Sequence, residues 1–111
     1  MDLDGKTAIV TGGAVRLGRA VCEALAARRC NVVIHCRHSV AQARGLAAGL
    51  RRDGVRSFVV RGDLSTGTGC RSVMKRAGDL AGRIDILVNN ASVFGCEKLS
   101  QVTEKSVLGQ L

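Results

Sequence analysis

Residues 7–28 read TAIVTGGAVRLGRAVCEALAAR, and this stretch decides the fold. An apolar run, Ala8, Ile9 and Val10, ends in Thr11 and the adjacent glycines Gly12 and Gly13, with a further glycine at Gly18. Beyond it Ala20, Val21, Ala24 and Leu25 recur at helical spacing. A strand, a glycine turn and an amphipathic helix in that order make a unit suited to a phosphate. Glycine lets the backbone turn sharply and approach a ligand, and a helix start presents free N–H groups at the positive end of its dipole. The plain alternative is a βαβ crossover whose turn happens to contain glycine. Arg16 lies inside the turn, near where many such loops carry glycine.

Working outward, Asp4-Gly5 is a turn signal ahead of a buried strand over 7–11. A helix is expected over 16–29 and a second strand over 31–36 (NVVIHC). So short a connection fits a strand returning parallel to the first through a right-handed crossover. Ser39 is a candidate N-cap for a helix whose inner stripe is Val40, Ala43, Leu46, Ala47 and Leu50, stopped by Gly54. Residues 57–61 (SFVVR) read as a third strand. Ser65 or Thr66 then caps a helix with Val73, Met74, Ala77, Leu80 and Ala81 inward and Gly82 as its stop. Residues 84–88 form the fourth strand, leading into Asn89-Asn90-Ala91-Ser92.

Near-continuous apolar strands alternating with helices predict an α/β fold, a Rossmann-like doubly wound parallel sheet of order 3-2-1-4. Its ligand crevice lies between strands one and four. Residues 94–101 read as loop and 103–111 as a helix just begun. The expectation is therefore one partial domain over 1–111, truncated after the fourth strand, with apolar surface and unpaired backbone on that strand.

Composition narrows the function. The formal charge is +8 from 17 Lys+Arg against 9 Asp+Glu, but the basic residues are scattered in short pairs such as Arg28-Arg29, Arg51-Arg52 and Lys75-Arg76. With two Phe and no Trp or Tyr, there is no aromatic platform for single-stranded nucleic acid. A solvated basic surface is expected, whose field also favours a multiply charged anion. Nucleic acid and membrane are not expected partners. The five cysteines, Cys22, Cys30, Cys36, Cys70 and Cys96, show neither a CxxC pair nor metal-ligand spacing with His35 or His38. They read as reduced core thiols of a soluble, cytoplasmic protein. The start of the chain has no signal-peptide pattern, and no stretch reaches membrane-spanning length.

The end of the second strand selects a cofactor. An Asp or Glu there would bind the ribose hydroxyls of NAD and repel a 2′-phosphate. No carboxylate occurs between Glu23 and Asp53; Cys36-Arg37-His38-Ser39 stands there instead. Guanidinium, imidazole, hydroxyl and a helix start together suit a 2′-phosphate, which favours NADP(H). A polar loop with an exposed arginine is the alternative. Arg16 either serves a diphosphate or a polar substrate group or faces solvent. Asp63 either accepts from an adenine amino group or caps its own loop.

Thr11-Gly12-Gly13-Ala14-Val15-Arg16-Leu17-Gly18, then Asp63-Leu64, then Asn89-Asn90-Ala91-Ser92, resemble the short-chain dehydrogenase/reductase family over essentially the whole chain. The TGxxxRxG turn, Ser92 with Phe94 two residues on, and Ile34-His35-Cys36-Arg37-His38-Ser39 resemble that family's pteridine reductase branch, although Cys36 stands where the branch has tyrosine. The resemblance implies that Gly12, Arg16, Leu17 and Gly18 line the pyrophosphate, and that Arg37, His38 and Ser39 hold the 2′-phosphate. It also implies that Asp63 and Leu64 flank the adenine, and that Asn90, Ala91 and Ser92 approach the nicotinamide-side ribose. Asn89 would be structural, and Arg16, Ser92 and Phe94 would touch substrate. Phe94 is otherwise a loop aromatic packed on the domain edge.

The family's chemistry uses a Ser and a Tyr-x-x-x-Lys pair, and this chain has no tyrosine. It contains no Ser–His–acid or metal constellation to replace them, so no catalytic residue is assigned. The expected function is the NADP(H)-binding part of a reductase of a small-molecule pterin or carbonyl substrate, homo-oligomeric if complete. The alternative is a catalytically inactive nucleotide-binding or subunit-pairing module.

Overall fold

The computed structural model describes residues 2–90. It contains β1 (Thr7–Val10), α1 (Arg16–Ala27), β2 (Asn31–Cys36), α2 (Val40–Arg52), β3 (Ser57–Arg61), α3 (Gly67–Ala81) and β4 (Ile86–Val88). The strands are parallel in the order β3-β2-β1-β4, with Val10 opposite both Ile34 and Val88. This is the expected doubly wound order 3-2-1-4.

Strand alternation sorts the core into two layers. Val10, Val32, Ile34 and Cys36 face one way, against Cys22 and Ala26 of α1 and Ala43, Leu46, Ala47 and Leu50 of α2. Ile9, Val33 and Val60 face the other way, against Cys70, Val73, Ala77 and Ala81 of α3. The central strands β1 and β2 are thus covered on both sides, which is why they carry apolar runs rather than alternating polar residues.

The helices follow their predicted stripes with two corrections. The buried face of α1 is Gly18, Cys22 and Ala26, with Val21 and Leu25 packed at its margin. Ala20 and Ala24 are exposed. Small residues at 18 and 22 let α1 lie close on the glycine turn, and this rotates its contact face. On α3, Leu80 is 46% exposed rather than inward, because Ala77 and Ala81 bring that helix close enough to fill the layer. Thr66, not Ser65, caps α3 by accepting from Gly69 N–H at 3.0 Å. Ser39 stands at the N-cap of α2 but makes no capping bond. Gly54 and Gly82 follow α2 and α3 with positive φ, whereas α1 closes on Arg29 in the left-handed region at φ 66.

The fourth strand starts two residues later than the pattern suggested. Asp85 leads into it by bonding rather than by ladder extension: its N–H donates to Thr7 O at 2.8 Å and its carboxylate accepts from Thr7 N–H at 2.9 Å. At the other sheet edge, arginines cover the outward carbonyls of β3. Arg51 donates to Ser57 O at 2.9 Å and Arg76 donates to Arg61 O. Part of the basic excess therefore guards an edge strand against pairing with another chain.

Candidate functional site

Parallel strands deliver their C-terminal ends to one edge, so four connecting segments meet there. They are the β1–α1 turn, the residues after β2, the β3–α3 turn and Asn89-Asn90 after β4.

The β1–α1 turn is tied on both sides. Thr11 N–H donates to Val88 O at 3.0 Å, and the Thr11 hydroxyl accepts from Asn90 N–H at 2.9 Å. The Asn90 side-chain amide donates to Gly12 O at 3.1 Å. Toward β2, Gly12 N–H donates to His35 Nδ1 at 3.0 Å and Gly13 N–H to His35 O at 3.0 Å. Gly12 has φ 61, a conformation that glycine adopts without strain. At Gly18 a Cβ would fall 2.1 Å from Gly12 O and 2.8 Å from both Asn90 Nδ2 and Gly13 Cα. Glycine is required there by close approach of helix to turn.

The glycine N–H groups therefore build the turn, and the donors left to face a ligand belong to the start of α1. Its N-cap, Val15, makes no side-chain bond, and its first turn holds no acidic residue. Arg16 and Leu17 are exposed, and Arg16 sits at φ 54, the left-handed conformation that lifts the chain into the helix. Open N–H groups, the dipole's positive end and an adjacent guanidinium form a donor set that fits a diphosphate.

Arg37 and His38 are exposed after β2, with Ser39 at the N-cap of α2. Gly62 N–H donates to Cys36 O at 3.1 Å, and Arg61 Nε donates to Arg37 O at 3.1 Å, which joins this segment to the β3–α3 turn. Arg37 also pairs with Asp63 at 3.2 Å. Asp63 does cap its own loop, accepting Ser65 N–H at 2.9 Å. The bond to Ser65, reinforced by Arg37, holds its carboxyl below the usual carboxylate range. The Arg37–Asp63 pair was not visible from sequence, since its members are far apart in the chain. It places a carboxylate beside a group expected to hold a phosphate. Leu64 is buried in the α3-side cluster, so only its main chain can line the site.

The structure thus brings together Gly12, Arg16, Leu17, Gly18, Arg37, His38, Ser39, Asp63, the Leu64 main chain and Asn90 along one strand edge. Ala91, Ser92 and Phe94 lie outside the described residues. His35 is the residue that sequence reading missed. It is 3% exposed and bridges Gly12 N–H and Gly62 O, the latter at 2.9 Å from Nε2. Burial lowers its pKa below the ordinary 6.5, partly offset by the Gly62 carbonyl and aided by Arg76.

The thiols of Cys22, Cys30, Cys36 and Cys70 are buried. Burial pushes the Cys22 thiol up to about 12, and its Sγ lies 3.6 Å from Gly13 O. Burial likewise raises Cys30 and Cys36. Among the described residues no group of three His, Cys, Asp or Glu could hold a metal, and no helix is long and apolar enough to cross a membrane.

Comparison with known proteins agrees with this geometry. The chain is 33% identical over 93% of its length to an uncharacterized oxidoreductase of Methylorubrum extorquens, of which it covers 42%. The FolM alternative dihydrofolate reductase 1 of Brucella canis, solved in complex with NADP, superposes with a TM-score of 0.77 at 37% identity, over 85% of this chain and 38% of that one. A short chain dehydrogenase of Burkholderia cenocepacia, also in complex with NADP, gives 0.78 at 35% identity over 85% and 38%. The chain thus spans about two fifths of the length of these relatives. The short chain dehydrogenase family model matches residues 6–109. With strand order, glycine turn and Asn89-Asn90 all in place, the chain belongs to the short-chain dehydrogenase family.

Proposed function

We propose that residues 1–111 form the NADP(H)-binding part of a short-chain dehydrogenase/reductase whose complete form reduces a pterin or carbonyl substrate. The observation that carries this reading is the junction of two anion-suited elements on one strand edge: the uncapped, acid-free start of α1 beside Arg16, and Arg37-His38-Ser39 at the end of β2. The NADP complexes among similar structures support it. When bound, the cofactor supplies a hydride.

The chain's own residues bind and orient. The start of α1 and Arg16 take the pyrophosphate, with Gly12 and Gly18 shaping its floor. Arg37, His38 and Ser39 take the 2′-phosphate, for which Arg37 exchanges or shares its contact with Asp63. Asp63 and the Leu64 main chain border the adenine. Asn90, with Ala91 and Ser92, borders the nicotinamide-side ribose, and Arg16, Ser92 and Phe94 meet the substrate. The FolM relative is the support for a pterin. The free buried cysteines Cys22, Cys30, Cys36 and Cys70 support a reducing, cytoplasmic compartment.

No tyrosine is present to exchange a proton with substrate. The 111-residue chain is therefore expected to bind NADP(H) without turning over a pterin or carbonyl compound. Calorimetric titration with NADP+ and NAD+ tests the binding, with at least about tenfold tighter NADP+ expected from the added charge-assisted contacts. Equal affinities would refute the 2′-phosphate assignment, and clear NADPH oxidation by this chain would refute the purely binding role.

A further inference from the structure

His35 is the only His, Lys, Arg or carboxylate buried among the described residues, and its place in the fold gives it two jobs at once. It lies in β2, directed like Val33 toward the α3 layer, between the β1–α1 turn on one side and the β3–α3 turn on the other. A main-chain N–H can only donate and a carbonyl can only accept. Nδ1 therefore carries the lone pair that receives Gly12 N–H, and Nε2 carries the proton given to Gly62 O. The two partners fix one neutral tautomer. The carbonyl of the same residue accepts Gly13 N–H. One side chain and its own backbone thus hold both glycines of the first turn and the first residue of the third.

We propose that His35 is a positioning residue of the dinucleotide site, joining the two turns so that the pyrophosphate end and the adenine end keep one spacing while the imidazole is uncharged. The inference rests on the NADP(H) reading above and deepens it by naming what sets the geometry of that site.

A second proton on the ring would replace the Nδ1 lone pair with an N–H facing the Gly12 N–H. The ring or the turn must then move, and the Gly12 N–H loses its acceptor. Several charged or titratable groups surround the ring. Arg76 of α3 lies over Gly62, where a Cβ would come within 3.2 Å of its guanidinium. Arg61 and Asp63 flank Gly62, with Asp63 engaged by Ser65 and Arg37. Cys70 shares the α3-side cluster, and β1 contributes no charge. Burial and Arg76 both oppose a charged imidazole.

The test uses the whole 111-residue chain with two readouts. Without cofactor, nitrogen NMR is expected to show the Nε2–H tautomer of His35, with the Gly12 amide and Gly62 carbonyl signals moving together as the ring titrates. With NADP+ as probe, calorimetry at pH 8 is expected to show an about tenfold loss of affinity for His35→Leu. His35→Gln, which keeps one donor and one acceptor but does not titrate, recovers most of it. As the pH is lowered through the ring's own titration, located by the NMR arm below the ordinary imidazole range, wild type weakens relative to His35→Gln. The 2′-phosphate, whose second pKa is about 6, and His38 are common to both proteins, so their ratio isolates His35. Should His35→Leu not fold, by circular dichroism, the Gln variant and the NMR arm still decide. An Nδ1–H tautomer, a wild-type to Gln ratio that stays flat across the ring's own titration, or a folded His35→Leu that binds like wild type would overturn this role alone. No NADP+ binding by wild type at any pH would overturn the cofactor reading, and this role with it.

Discussion

The β1–α1 turn and the β2–α2 turn lie side by side on the strand edge, yet they are built differently. In the first, Thr11, Gly12 and Gly13 each bond to a neighbouring strand or the segment after it, through Val88, Asn90 and His35. In the second, Arg37 and His38 project into solvent, and the Arg37 side chain has Asp63 as its ion-pair partner. The first turn carries the main-chain donors at the start of α1, which are useful only if the backbone beneath them is fixed. The second presents side chains, whose identity can change without disturbing the fold. On the proposed NADP(H) reading, binding of a diphosphate, common to both nicotinamide cofactors, would fall to the fixed end, and the choice between them to the adjustable end.

Gly18→Ala breaks the fixed end most severely. Its Cβ would collide with main-chain atoms of Gly12 and Gly13, which cannot swing aside as a flexible side chain can. A loss of about 3 kcal/mol or more is expected, lowering Tm by more than about 10 °C in thermal denaturation followed by circular dichroism. Gly45→Ala is the matched control, since nothing lies within 4 Å of its Cβ on the exposed face of α2. It should stabilise by about 0.5–1 kcal/mol through helix propensity. If the two variants behave alike, close packing of α1 on the turn is not what glycine serves at position 18.

Thr11→Val comes next. Valine keeps the shape but removes the acceptor for Asn90 N–H and the hydroxyl's reach to Val88 O at 3.4 Å. A destabilisation of about 1–2 kcal/mol is expected in urea unfolding. Faster amide exchange at Asn90 should accompany it, since that donor loses its partner. Unchanged exchange would show that the stitch between β1 and β4 does not depend on the hydroxyl.

What could be read from sequence divides along the same line. The strand order, the glycine turn and the α2 stripe of Ala43, Leu46, Ala47 and Leu50 were legible because each is a local, periodic pattern. The face of α1 was harder, because alanines at 20 and 24 carry the same apolar label as the buried Cys22 and Ala26. Leu80 misled for the opposite reason: size does not decide burial where Ala77 and Ala81 draw the helix close. His35 gave no signal of this role beyond its place in the Ile34 to Ser39 resemblance, as a histidine in an apolar strand shows neither the turn it accepts from nor the turn it donates to. The Arg37–Asp63 pair depends on β2 and β3 ending side by side, a property of the register rather than of either segment.

Arg37→Ala acts on the adjustable end and should leave stability within about 0.5 kcal/mol of wild type, because both members of its ion pair are exposed. Its effect appears in ligand choice. If Arg37 holds the 2′-phosphate as proposed, loss of that charge-assisted contact should weaken NADP+ by roughly tenfold to a hundredfold. NAD+, which has no phosphate there, should be held as before or slightly better, since Asp63 is freed to meet the ribose hydroxyls. Asp63→Asn separates the two duties of Arg37. If Asp63 merely competes with the phosphate, removing its charge should strengthen NADP+ binding. If it orients the guanidinium, the same change should weaken it. Equal weakening of NADP+ and NAD+ in Arg37→Ala would mean that this arginine supports the loop rather than selects the cofactor. The division between a fixed end and an adjustable one would then fail at the residue on which it most depends.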